Sequence, residues 1–268
     1  MIRPMNDAAL LAWSRHMGAI GEAPSTLYLY GRYLSRFFAH VAPYAATVDD
    51  VEGWIAAHDW SAATRRSAVG ALRSFYRWAH DRGRILSDPT AALKRPRMPR
   101  PTPKPTPDDV LKAALVASSG DDRWLLRIAA DTGLRRSELA RIHSRDVEHH
   151  GDGYWLRVVG KGSAVRLVPI PEDVGVWIRQ REGWAFPSAR VPGEHVGGDC
   201  IGKRIKRLLG GYSAHTLRHY FATTTYQSTG DIYATQHLLG HASPVTTQGY
   251  VMESPIRLRQ AAATAWVA

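Results

Sequence analysis

The segment Arg95-Pro96-Arg97-Met98-Pro99-Arg100-Pro101-Thr102-Pro103-Lys104-Pro105-Thr106-Pro107 carries six prolines in thirteen residues. Each proline lacks a backbone donor and fixes φ, so neither a helix interior nor a central strand can run through it. The chain there is extended and semi-rigid, and Arg95, Arg97, Arg100 and Lys104 make it cationic. It reads as a linker, 95–107, between a domain at 1–94 and another at 108–268. An ordinary spacer has this composition, and so does a strap that crosses a phosphate backbone. A length of 268 residues suits two domains.

Upstream of the linker the periodicity is helical throughout. Ser25 offers an N-cap, followed at helical spacing by Leu27, Tyr30, Leu34, Phe37, Phe38 and Val41. A second helix is predicted from about Ala62 to Asp81, with Val69, Leu72, Tyr76 and Ala79 on its apolar stripe. Arg66, Arg73 and Arg77 share another face. A solvated surface is the ordinary reading of such a face, but the absence of an acidic partner before Asp81 favours phosphate contact.

Downstream, Thr106 and Asp108 are helix-start signals, and helical periodicity runs on to Ala130. Tyr154 to Val159 alternates, Gly160-Lys161-Gly162-Ser163 is a turn signal, and Ala164 to Ile170 returns as a strand. A β-hairpin with Lys161 at its tip follows. From about Cys200 onward the pattern is helical again, broken by Gly210-Gly211, Gly230, Gly240 and Pro244. The fold class expected is mainly α with a small β-sheet.

The formal net charge is +11, with +7 in residues 1–107 and +4 in 108–268, and 29 of the 35 cationic residues are arginine. Guanidinium forks bind phosphate bidentately, so a polyanionic partner is indicated, either nucleic acid or an acidic membrane surface. Genomic GC content also enriches arginine. Cys200 is the one cysteine, which excludes a disulfide framework or a thiolate zinc site within one chain and suits a reducing cytoplasm. Met1 to Asp7 lack the apolar run of a signal peptide, and no run of about 18 apolar residues occurs. A soluble, intracellular protein is expected.

Cleaving a phosphodiester without metal would require fixed cations for the charge growing on the non-bridging oxygens. It would also need a nucleophile in line and a proton for the departing oxygen. Four segments offer such groups. In Thr132-Gly133-Leu134-Arg135-Arg136-Ser137-Glu138-Leu139, Gly133 would end one helix and Arg135 would open the next. Glu138, three residues on, could orient a guanidinium. In His215-Thr216-Leu217-Arg218-His219, His215 and Arg218 project from one helical face. Leu238-Leu239-Gly240-His241 frees the backbone beside His241, and Tyr250 supplies a hydroxyl. Taken singly, these read as a surface ion pair, a half-buried histidine, a structural histidine and one tyrosine among 11. Lys203, Arg204, Lys206 and Arg207 form a basic face, which solvation alone would explain.

Taken jointly and in order, these segments resemble the tyrosine recombinase, or phage-integrase, family over almost the whole chain. Arg73-Ser74-Phe75-Tyr76-Arg77-Trp78 is similar to the last long helix of that family's core-binding domain. Thr-Gly-Leu-Arg with Ser-Glu-Leu resembles the box of the first catalytic arginine, which gives that role to Arg135 and a supporting one to Glu138. Gly160-Lys161-Gly162, with Arg166 and Val168-Pro169 behind it, resembles the hairpin of the family's lysine. Here, however, Ser163-Ala164-Val165 stands where charged residues are usual. His-x-Leu-Arg-His gives His215 and Arg218, with His219 as a buttress. Leu-Leu-Gly-His and Thr246-Thr247-Gln248-Gly249-Tyr250 give His241 and the nucleophile, although Gly249 replaces a bulkier residue and Val251-Met252 a common Thr-His.

The resemblance implies a helical core-binding domain and a mixed α/β catalytic domain, closing as a C-shaped clamp on double-stranded DNA. Arg66, Arg73, Arg77 and Arg95 would contact DNA. Tyr250 would attack the scissile phosphate to give a 3′-phosphotyrosyl bond, and Arg135, Arg218 and His241 would hold the non-bridging oxygens. His215 would handle the tyrosine proton, and Lys161 would protonate the leaving 5′-oxygen. No metal, ATP or other cofactor is implied, since the covalent intermediate keeps the energy of the broken bond. A homotetramer on two synapsed sites is implied, with room for an accessory DNA-bending or directionality factor and no membrane role. The stretch before Ser25 is too short for an arm-binding domain, so a short form is expected. A tail helix after Pro255 would pack on its own domain or on a neighbouring protomer. Chromosome-dimer resolution of the Xer type, a type IB topoisomerase and a catalytically silent DNA-binding protein are the competing readings.

Overall fold

The computed structural model describes residues 3–94, 96, 102–160 and 164–240. Arg95, Lys161, His241, Tyr250 and the expected tail helix lie outside the described residues. The chain divides into two compact units, 1–99 and 100–268.

The first unit is helical: α1 (Arg3–Ala19), α2 (Pro24–Phe38), α3 (Val48–Ala56) and α4 (Ala62–Asp81). α2 opens at Pro24 with Ala23 at the N-cap, so Ser25 lies inside the helix and does not cap it. Proline at the first helical position needs no donor and already holds a helical φ, which moves the start ahead of the serine. α4 starts where Ser61 accepts from the Thr64 amide. Its predicted stripe of Val69, Leu72, Tyr76 and Ala79 is buried. The core is aromatic, with Phe38 edge-on to Phe75 at 4.8 Å and Phe37 edge-on to Trp54 at 5.3 Å. Such pairs add about 0.5–1.5 kcal/mol each beyond their burial.

The second unit contains α5 (Asp108–Ala117), α6 (Gly120–Thr132) and the short α7 (Arg136–Ala140). Strands β1 (Val147–His150), β2 (Gly153–Val159) and β3 (Val165–Ile170) follow, then α8 (Glu172–Arg179), α9 (Gly198–Leu208), α10 (Ala214–Thr229) and α11 (Ile232–Leu239). The strands form an antiparallel sheet in the order β1-β2-β3. Val159 pairs with Val165 and Val158 with Arg166, and the Gly160 amide donates to the Ala164 carbonyl at 2.8 Å. The helical periodicity read through Ala130 is divided between two helices, parted at Ser118-Ser119 where Gly120 begins the second. Thr106 caps neither of them. It is buried, its amide donates to the Thr216 carbonyl at 3.0 Å, and its hydroxyl pairs with that of Thr216 at 2.8 Å. Leu125, Ile128, Leu139, Leu156, Val168 and Leu217 belong to one core beneath the sheet and helices. Among the described residues no helix is long and apolar enough to cross a membrane.

Candidate functional site

Gly133 ends α6 in the left-handed conformation, φ +60°. A side chain there would meet the Phe221 ring at 2.5 Å, so the turn needs glycine for both conformation and space. Two residues later Arg135 occupies the N-cap of α7. Glu138, in the first turn, reaches back: its Oε2 accepts from the Arg135 amide and its Oε1 from Arg135 Nη1, both at 2.9 Å. The ion pair thus doubles as a helix cap.

Glu138 is buried, and a second arginine meets it there. Arg166 of β3 donates from Nη1 to Oε1 at 3.2 Å and from Nη2 to Oε2 at 2.9 Å. Burial alone would push the Glu138 carboxyl up. The bonds from Arg166 and the Arg135 amide, with both guanidinium charges, outweigh burial and hold it at about 2.

The two arginines and Arg218 also share the end of α11. Arg166 Nε donates to the Leu238 carbonyl at 2.9 Å, Arg218 Nη2 to that of Leu239 at 2.7 Å, and Arg135 Nη2 to that of Gly240 at 3.5 Å. These carbonyls would otherwise be orphans at the negative pole of the helix. Arg218 is 2% exposed and its Nη1 also bonds the Gly133 carbonyl at 2.7 Å, so it joins both glycine-ended turns. Gly240 has φ +64°, and a side chain would lie 2.9–3.1 Å from the Arg166 guanidinium.

His215, in the first turn of α10, stands one turn ahead of Arg218. The Ser213 cap accepts from the Thr216 amide and starts the helix beside it. Partial burial of the imidazole, then the positive charges of Arg218 and Arg135, hold its pKa below the ordinary 6.5. It is therefore neutral near pH 7 and able to accept a proton. His219 is buried and packs edge-on against it.

A cleft of about 680 Å³ opens over these groups, lined by Arg135, Arg136, Lys203, Lys206, His215 and Arg218. Asp199, paired with Arg136 at 3.0 Å, is the acidic residue on its wall. The basic face of α9 is therefore divided. Lys203 and Lys206 line the cleft, while Arg204 and Arg207 pair with Asp122. Such a cationic concavity suits an anion with several oxygens, such as a phosphodiester.

The sequence-predicted residues Arg135, Glu138, His215, Arg218 and His219 are brought together. Lys161, His241 and Tyr250 lie outside the described residues, as does Arg95. Of the cations expected on α4, Arg73 donates to the Leu93 carbonyl at 2.7 Å and Arg66 to that of Pro96 at 3.4 Å. Arg77 is exposed, 4.0 Å from Asp81. Arg166 is the site residue that motif reading left as a mere hairpin marker. Its signal was the alternation of β3, which puts an arginine on the same buried face as Val168 and Ile170.

A model of the phage integrase family matches residues 107–256. Tyrosine recombinase XerC of Chromobacterium violaceum is 30% identical, over 91% of this chain and 89% of its own. XerC of Bradyrhizobium diazoefficiens is 31% identical, over 94% and 91%. Among solved structures, a lambda integrase dimer bound to a COC′ core site superposes with a TM-score of 0.72 at 18% identity, covering 91% of this chain and 94% of that one. XerH site-specific recombinase bound to difH substrate gives 0.68 at 21% identity, covering 88% and 79%.

Proposed function

The chain belongs to the phage integrase family of tyrosine recombinases, and we propose that Arg135, Lys161, His215, Arg218, His241 and Tyr250 are the groups with which it cuts and rejoins DNA. Arg135, His215 and Arg218 line one cationic cleft at the root of the chain that continues into His241 and Tyr250, and this observation carries the reading. Tyr250 attacks the scissile phosphate while His215 takes its proton. The arginines and His241 stabilise the charge developing on the non-bridging oxygens, and Lys161 protonates the departing 5′-oxygen. A partner strand's 5′-hydroxyl reverses the step, so the phosphotyrosine conserves the bond energy.

Residues 1–94 and the strap 95–107 add grip on double-stranded DNA, and the working form is a homotetramer on two synapsed sites. A solved lambda integrase tetramer bound to a Holliday junction, of like fold (TM-score 0.70), supports that assembly. The enzyme acts in the cytoplasm, associated with the nucleoid. The reaction serves integration or excision of a mobile element. Identity to XerC proteins over more than nine tenths of the chain supports chromosome-dimer resolution as a second reading.

Capturing covalent adducts on the host genome tests the chemistry and maps the site. A nicked duplex of that site should trap the wild type on a denaturing gel and should not trap Tyr250→Phe. An adduct in the variant would overturn the nucleophile.

A further inference from the structure

Arg166 sits on the buried face of β3, in series with Val168 and Ile170, where an apolar residue is expected. Burying a charge pair in such a place seldom adds net stability over a well-packed apolar pair. What the arginine adds is geometry. It holds both oxygens of Glu138, the carboxylate that also holds Arg135, and the Leu238 carbonyl two residues before the glycine turn. That turn packs directly on its guanidinium. Arg166 also pairs with Val158 across the hairpin that carries Lys161. Its side chain therefore joins the support of Arg135 to the end of α11, while its backbone lies in the ladder of the hairpin.

We propose that Arg166 is a positioning residue for DNA cleavage: through Glu138 it aims Arg135, and through the Leu238 carbonyl it fixes the root of the segment bearing His241 and Tyr250. This rests on the assignment of those residues above. Among the described residues the charged groups bonded to Glu138 are Arg135 and Arg166. Removing Arg166 leaves one guanidinium there, so the carboxyl takes a proton more readily and loosens Arg135 as pH falls.

The test is single-turnover adduct formation by the full chain on a nicked duplex of the mapped site. Wild type and Tyr250→Phe run alongside, so failure of the underlying assignment shows there and nowhere else. Arg166→Met should slow cleavage by about 100-fold, the cost of a small misplacement, with half-site affinity unchanged. Its rate should also fall more steeply on mild acidification than the wild type's, whose own decline follows protonation of His215. Glu138→Leu with Arg166→Met leaves no unpaired buried charge, so this variant should melt near the wild type yet still cleave slowly. Wild-type rates in either variant, or rate and affinity falling together, would overturn the proposal.

Discussion

His215 meets His219 one helical turn further along α10, ring centroids 4.7 Å apart and planes at 82°. The buried ring backs the exposed one, so His215 is oriented from within the domain before any ligand arrives. Its pKa is lowered first by desolvation and then by Arg218 and Arg135.

The ring of His215 should therefore titrate below 6.5 in the free protein, followed by NMR of its carbon-bound protons. Arg135→Gln removes one opposing charge and should raise the midpoint. The sign for stability follows: the unfolded chain binds this proton first, so the contribution is full above 6.5 and declines as pH drops through the folded value. A midpoint at or above 6.5 would refute the electrostatic account.

Glu138→Gln should cost about 3–5 kcal/mol near neutral pH, because two guanidinia lose a buried counter-charge. The carboxyl is held at about 2 against an ordinary 4.5. Its stabilisation is present above 4.5 and is lost as pH falls towards 2. Urea titrations of both proteins should converge on acidification, and a constant gap would argue against the ion pair as its source.

Gly240→Ala forces an L-residue to φ +64° against the Arg166 guanidinium. A loss of about 1–3 kcal/mol is expected from the conformation alone. Adduct formation should fall as well. Unchanged stability in chemical denaturation would mean that the turn tolerates a side chain.

Arg73 and Arg77 should part company. Arg77 is 83% exposed, so Arg77→Gln should leave melting intact and reduce the salt slope of DNA binding by about one. Arg73 holds the Leu93 carbonyl, so Arg73→Gln should lower the melting temperature instead. The reverse pattern would exchange their roles.

The legible parts of this protein were those written in local chemistry. The stripe of α4, the Gly133 stop before Arg135 and the hairpin alternation each depend on neighbours a few residues away. Elements with little apolar signal were not legible. β1 buries Val147 alone, and among its described side chains α1 buries Ala9 and Trp13 deeply. Arg166 went unread because its partner lies in a different element and strand alternation cannot name a partner. Thr106 looked like a helix cap for the same reason, since Thr216 lies far along the chain. Arg73 looked like a free cation until its carbonyl partner was in view.

The end of α11 can also be considered mechanically. Three consecutive carbonyls, of Leu238, Leu239 and Gly240, are moored to guanidinia rooted in β3, in α10 and at the head of α7. A pull on the chain beyond Gly240 is therefore shared among three anchors in different elements and not borne by the last turn of α11 alone. The load stops at the mooring. How far the following segment reaches and how firmly the domain holds together are thereby separate properties, and each can be altered by substitution while the other is preserved.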